Sequence, residues 1–163
     1  MNDNNPVTLR KATRADADTI AEAVHALARA SGESHKSTAS ADDFVRHGFS
    51  DAPAFYALIA EREGKAVGLS LWYLAFSSFR GEQGVYVSDL YVDSGERGTG
   101  LGKRLLKETA RLGRAAGATH LRLSVAGANS NARAFYERLG LKHRDDERIY
   151  QASDQSFAKL AGD

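Results

Sequence analysis

Apolar and polar residues change their spacing several times along the chain, and each change marks an element. In VTLRKA (7–12), Val7 and Leu9 alternate with polar residues, which predicts a short strand. Thr13 then offers a helix cap with Asp16 three positions on, close to capping-box spacing. Ala17, Ile20, Ala21, Val24, Leu27 and Ala28 follow at helical intervals, and this helix ends near SGES. A polar loop from Ser31 to Ser40 precedes a second, short helix around ADDFVRHGF. FYALIAE (55–61) and AVGLSLWYLAF (66–76) read as strands joined by a REGK hairpin turn. GVYVSDLYV (84–92) is apolar on both faces, which predicts a central strand. A helix over about 100–116 buries Leu101, Leu105, Leu112 and Ala116, and HLRLSVAG (120–127) is a strand with Leu121, Leu123 and Val125 on one side. Ala132, Phe135, Tyr136 and Leu139 form a second helical stripe, with Gly140 where a C-terminal glycine belongs. A strand at RIYQA (148–152) and a polar tail complete the pattern. The order is β-α-α-β-β-β-α-β-α-β, an α/β (α+β) chain with a mixed sheet in one domain, 1–163, without repeats or linkers.

Composition narrows the chemistry. The 163 residues carry 22 basic and 21 acidic side chains, a formal charge of +1, so no global field draws in nucleic acid or an anionic membrane. With no cysteine, disulfides, thiolate metal sites and a cysteine nucleophile are excluded. The segment MNDNNPVTLRK lacks an apolar signal core, and no run approaches the roughly 20 apolar residues that span a bilayer. A cytoplasmic protein is expected. The five histidines form neither HxxxH nor HExxH, so no metal is expected. Ser124 and Ser130 lie in no G-x-S-x-G elbow. Lys103, Lys107, Arg111 and Arg114 share a helix face, which reads as a solvated face rather than a nucleic-acid stripe.

One stretch carries chemistry. ERGTGLGKRL (96–105) places Gly98, Gly100 and Gly102 between a buried strand and a helix. The first turn of a helix has amides without intrahelical partners and a partial positive charge, and glycines allow close backbone approach, so the junction suits a phosphate. Arg97 and Lys103 bracket it with positive charge. The stretch fails GxxxxGK[ST] in spacing and in its last residue. It also fails GxGxxG, because it reads GxGxG and follows the fourth strand rather than the first.

Arg97-Gly98-Thr99-Gly100-Leu101-Gly102 resembles the R/Q-x-x-G-x-G/A motif of the GNAT N-acetyltransferases, and NSNARAFYERLG (129–140) resembles that family's N-x-x-A-x-x-F-Y-x-x-x-G segment. The resemblance implies a mostly antiparallel mixed sheet flanked by helices on both faces. It implies that the loop from Arg97 through Lys103 binds the pyrophosphate of acetyl-coenzyme A. It implies that Leu90, Tyr91 and Val92 lie on a strand that splays from its neighbour at a bulge and pairs with the pantetheine arm. Tyr136 matches the general acid that protonates the departing thiolate; a core role on the apolar stripe is the alternative. Asn129 either caps its helix or binds the pantetheine. Asp89 stands as proton acceptor or as a binding carboxylate for an ammonium group. DDFVRHGFSDAPAFYALIAE, VGLSLWYLAFSSFRG and VSDLYV are similar to the diamine (spermidine/spermine) and thialysine branch. Ser88-Asp89 replaces that branch's acidic pair, ASGESHKS lacks its tyrosine-glutamate pair although Glu33 is near, and Glu147 stands where an aromatic is expected. The branch implies a small primary amine acceptor, bound by Asp89 and Glu33, and a homodimer, to which Trp72, Tyr73 and Phe76 contribute unless they are core. The alternatives are a non-catalytic acetyl-CoA sensor or scaffold, or transfer to a protein amine or an aminoglycoside.

Overall fold

Asp16 starts the first helix as its spacing predicts. Its carboxylate accepts the Thr13 amide at 2.7 Å and the Thr13 hydroxyl at 2.9 Å, and the Arg10 guanidinium grips both of its oxygens at 2.8 Å. The bonds from Arg10 hold the Asp16 carboxyl well below the usual carboxylate range. In this computed structural model, which describes residues 5–162, the chain divides into two compact units at Ala126/Gly127.

The first unit holds β1 (Thr8–Lys11), α1 (Ala17–Ala30), α2 (Ala41–Gly48), β2 (Tyr56–Arg62), β3 (Lys65–Ser77), β4 (Glu82–Val92), α3 (Leu101–Ala115) and β5 (His120–Leu123). The sheet runs in chain order, β1 to β5. Neighbours are antiparallel except β4 and β5, which are parallel and joined through α3. The β2–β3 hairpin turns on Glu63 and Gly64, both at positive φ (52° and 76°), the geometry that matches the twist of paired strands. As 84–92 predicted, β4 is internal, and its length is shared between β3 and β5.

Alternation along β2 builds two cores. Ala57 and Ile59 face α1 and α2, packing with Ile20, Ala21, Phe44, Leu69 and Leu71. Leu58 and Ala60 face the other way, packing with Val67, Leu101 and Leu105 of α3. Helices therefore cover both sheet faces. The second contact carries a fully buried polar pair, Ser70 Oγ to Thr109 Oγ1 at 2.8 Å, which pins α3 to β3. The α3 face differs from the expected one at its end. Ala116 is exposed and Gly113 is buried, because the helix lies so close to β4 that a methyl group at Gly113 would run into Val85.

The second unit contains α4 (Ser130–Arg138) and α5 (Asp154–Ala161). Asn129 caps α4, its Oδ1 accepting the Ala132 amide at 3.0 Å. Gly140, at φ +88°, closes it: the Gly140 amide reaches Glu137 O at 2.9 Å and the Leu141 amide reaches Tyr136 O at 3.1 Å. Two expectations fail here. Residues 148–152 form no strand; Ile149 and Tyr150 are exposed and the segment joins no ladder, without which alternation alone makes no strand. The polar tail instead folds as α5, whose start is fixed by the Ser153 amide donating to Ser156 Oγ at 2.9 Å. Among the described residues no helix is long and apolar enough to cross a membrane.

Candidate functional site

The pairing of β4 changes abruptly at Ser88. Leu71 and Trp72, consecutive on β3, pair with Asp89 and Val87, so Ser88 is an extra residue on β4, a bulge. Because side chains alternate, one extra residue exchanges the faces beyond it. Val85, ahead of the bulge, lies under Gly113 of α3. Beyond it, Leu90 and Val92 pack in the α3-side core, and Tyr91 packs in the α1-side core. Asp89 shares the face of Tyr91. Without the bulge it would fall in phase with Val85 and Val87, against α3.

The same bulge ends the β4–β5 ladder. The last paired residues are Val87 and Leu123, so β5 stops at Leu123 rather than at the expected 127. From Ser88 to Val92 the side of β4 that faced β5 is open. The Asp93 amide donates to Val67 O at 2.9 Å. In an antiparallel ladder such residues alternate, so Tyr91 and Asp89 turn their backbone groups to β3, while Leu90 and Val92 turn theirs to the open side. Arg97 occupies part of it, its Nε donating to Val92 O at 3.4 Å.

This open edge leads into the glycine loop. Gly98 and Gly100 have φ of +77° and +86°, and a Cβ at either would meet nothing, so dihedral and not room requires glycine there. Gly102 differs: it lies inside α3, in the first turn. The first intrahelical bond is Arg104 N–H to Gly100 O at 3.1 Å, which leaves the amides of Leu101, Gly102 and Lys103 without intrahelical partners. The Leu101 side chain is buried in the α3-side core, so this residue offers its amide alone. The Thr99 hydroxyl donates to Glu96 O at 2.7 Å, and Glu96 in turn holds Arg62 at 2.8 and 3.0 Å, which ties the loop to β2. Arg97 and Lys103 are exposed beside it. Together these groups form a surface of backbone donors and positive charge that fits a pyrophosphate, with an extended row of strand groups that fits an amide-bearing arm.

Burial pushes the Asp89 carboxyl above its ordinary range, and a hydrogen bond from Ser88 pulls the other way. Glu33, in the loop after α1, does not stand free: Lys36 pairs with it and lowers its pKa. In the second unit, Tyr136 lies on the half-buried stripe with Ala132, Phe135 and Leu139, and burial raises its phenol above the usual value. Asn129 is accounted for as the cap of α4. Trp72 is core, whereas Tyr73 is partly and Phe76 largely exposed. The basic stripe on α3 is exposed, and Arg111 within it is committed to Glu108 at 2.7 and 2.8 Å. Among the described residues no three His, Asp or Glu side chains gather as a metal site. Sequence reasoning overlooked a cavity of about 550 Å³ between α1 and the sheet, lined in part by Glu22, Arg29 and Asp93.

Known proteins resemble this chain in sequence and in fold. The sequence pattern of the acetyltransferase (GNAT) family matches residues 21–141. A thialysine N-epsilon-acetyltransferase from Mus musculus is 30% identical, over 94% of this chain and 96% of its own. A human spermidine/spermine N(1)-acetyltransferase-like protein 1 is 32% identical over 64% of this chain, but this covers only 16% of that protein. Among solved structures, an integron cassette protein from the mobile metagenome of V. cholerae superposes with a TM-score of 0.80 at 20% identity, covering 96% of this chain and 98% of that one.

Proposed function

Since the chain belongs to the GNAT acetyltransferase family and is an N-acetyltransferase, we propose that it moves an acetyl group from acetyl-coenzyme A to the primary amine of a small cationic acceptor, a lysine-like amino acid, a diamine or a polyamine. The observation that carries this reading is the open edge of β4 beyond Ser88, running directly into the glycine loop. The coenzyme supplies an acetyl group activated as a thioester. Amides of the loop and of the first turn of α3, with Arg97 and Lys103, hold its pyrophosphate, and the backbone of Leu90 and Val92 holds its arm. The family match over residues 21–141 includes both the glycine loop and Tyr136.

Direct attack requires a neutral amine, and an alkylammonium has a pKa of about 10.4. Asp89 binds the ammonium and takes its proton, directly or through water. Its raised pKa makes it a stronger base than an ordinary carboxylate. As the amine nitrogen bonds to the acetyl carbon, charge gathers on the acetyl oxygen, where an outward amide of β4 donates to it. Tyr136 gives its phenolic proton to the sulfur as the C–S bond breaks, and the extra proton left on the acylated nitrogen returns to the phenolate as the amide forms. A phenol, with an ordinary pKa near 10, is protonated at neutral pH as an acid must be, and burial raises its pKa further. Asn129 serves the reaction by capping the helix that carries Tyr136. Glu33 binds the acceptor ammonium only by giving up its pairing with Lys36. A cytoplasmic location and a homodimer accompany this reading: a cysteine-free chain needs no oxidising compartment, and exposed Phe76 and Phe79 at the β3–β4 hairpin offer an apolar face.

Thiol release measured over a panel of amines identifies the acceptor class. In the same assay Tyr136→Phe lowers kcat by about 100-fold or more, while acetyl-CoA affinity stays close to wild type. Unchanged turnover would remove Tyr136 from the acid role.

A further inference from the structure

The cleft between β4 and β5 has a closed end. An arm held by its pyrophosphate at the glycine loop runs back along the open edge of β4 toward Ser88, so its acyl end comes to the fork where the two strands rejoin. The last rung of the ladder, Val87 with Leu123, closes the cleft along its axis. The α3 side of the sheet is filled there: Val85 and Val87 are buried, and a methyl group at Gly113 would already run into Val85. One side chain closes the opposite face. Tyr86 lies between Val85 and Val87 and therefore points away from α3. In register it pairs with Arg122, yet its hydroxyl meets Ser124 Oγ at 2.6 Å, two residues or about 6–7 Å beyond Arg122. The phenol thus leans past the last rung and over the fork. Two contacts hold it there. The Tyr73 ring stacks on it from β3, with centroids 5.1 Å and planes 25° apart, and Ser124 ties its tip. Tyr86 belongs to neither hydrophobic core, and Tyr73 and Ser124 are exposed, so core packing does not call for this arrangement.

We infer that Tyr86, held by Ser124, is the stop for the acyl group: it leaves room for an acetyl group at the fork and excludes longer chains. The inference rests on the reading of the open edge of β4 as the seat of the coenzyme arm. It adds a choice of donor that the glycine loop cannot make, because the loop meets only the phosphates that every acyl-coenzyme A shares. A longer acyl chain runs into the phenol, and displacing the phenol costs both the stacking on Tyr73 and the bond to Ser124.

Calorimetry of acetyl-, propionyl- and butyryl-CoA with the full chain tests this and needs no acceptor amine. Wild-type affinity falls by about tenfold or more for each added methylene. Tyr86→Ala raises the butyryl-to-acetyl affinity ratio by about tenfold or more. Ser124→Ala and Tyr86→Phe break the same bond but keep the ring, so they raise the ratio by a smaller factor, equal for the two. Ser124 is exposed, so Ser124→Ala reads the same tie even where Tyr86→Ala does not fold. Thiol-release kcat/KM follows the same order with any amine that reacts. Equal affinity of the wild type for all three donors, or a ratio unmoved in the variants that fold, overturns the stop and leaves the coenzyme site standing. Failure of every acyl-CoA and of free coenzyme A to bind overturns the seat on the open edge, and the stop with it.

Discussion

At Asp89 one carboxyl joins the proposed function to instability. Burial raises its folded pKa above the unfolded value, so the folded state holds its proton more tightly. Stability from this group is therefore greatest at low pH and is lost as pH rises from the unfolded value through the raised folded one. Asp89→Asn removes that loss. We expect the variant to melt at a higher temperature than wild type at pH 7, with the advantage disappearing near pH 4, while acetylation falls by about 10²-fold or more. Denaturation scans at the two pH values, with thiol-release rates, check both halves. Asp16 has the opposite sign. Arg10 holds its folded pKa down, so its contribution is present above the unfolded pKa and disappears as pH falls through the depressed one. Asp16→Asn, measured by urea denaturation at pH 7, should cost about 2 kcal/mol.

Among the elements, β4 is shaped by a single inserted residue. Deleting Ser88 would restore continuous alternation, turn Asp89 toward α3 and extend the β4–β5 ladder over the open edge. The expected outcome is loss of acetyl-CoA binding, by calorimetry, together with loss of activity. A deletion variant that still binds the coenzyme would show that the open edge is not its site. The glycine loop divides in the same physical way. Gly98→Ala and Gly100→Ala each place a Cβ at positive φ and should cost about 1–2 kcal/mol in denaturation experiments, with weaker coenzyme binding. Gly102→Ala lies inside α3 and should instead gain up to about 1 kcal/mol from helix propensity.

For the whole molecule, the β3–β4 hairpin extends past the last β2 pairing at Trp72, leaving Phe76 and Phe79 exposed. Light scattering should give twice the chain mass, and replacing both phenylalanines with serine should shift it toward the monomer. A wild-type monomer would exclude the homodimer. Much of this molecule follows from local pattern. The Thr13–Asp16 start of α1, the Glu63–Gly64 turn, the glycine loop and the Asn129-to-Gly140 limits of α4 are fixed by dihedral preference and short-range hydrogen bonds, which neighbouring residues supply. Even the bulge leaves a local trace: the apolar positions Val85 and Val87 resume at Leu90 and Val92, one residue out of phase, though Tyr86 and Tyr91 mask the shift by making both faces apolar. What the chain pattern could not decide depended on partners distant in sequence. Residues 148–152 alternate like a strand yet find no ladder, Gly113 rather than Ala116 ends the buried face of α3 because Val85 lies against it, and the cavity beside Arg29 exists because two alanines of α1 face the sheet. Sequence determined most of the elements and the glycine loop, since both are written in local geometry. Only the tertiary structure decided which side of β4 Asp89 faces and what stands opposite it, since a strand's face and its neighbours are settled by pairing across the sheet.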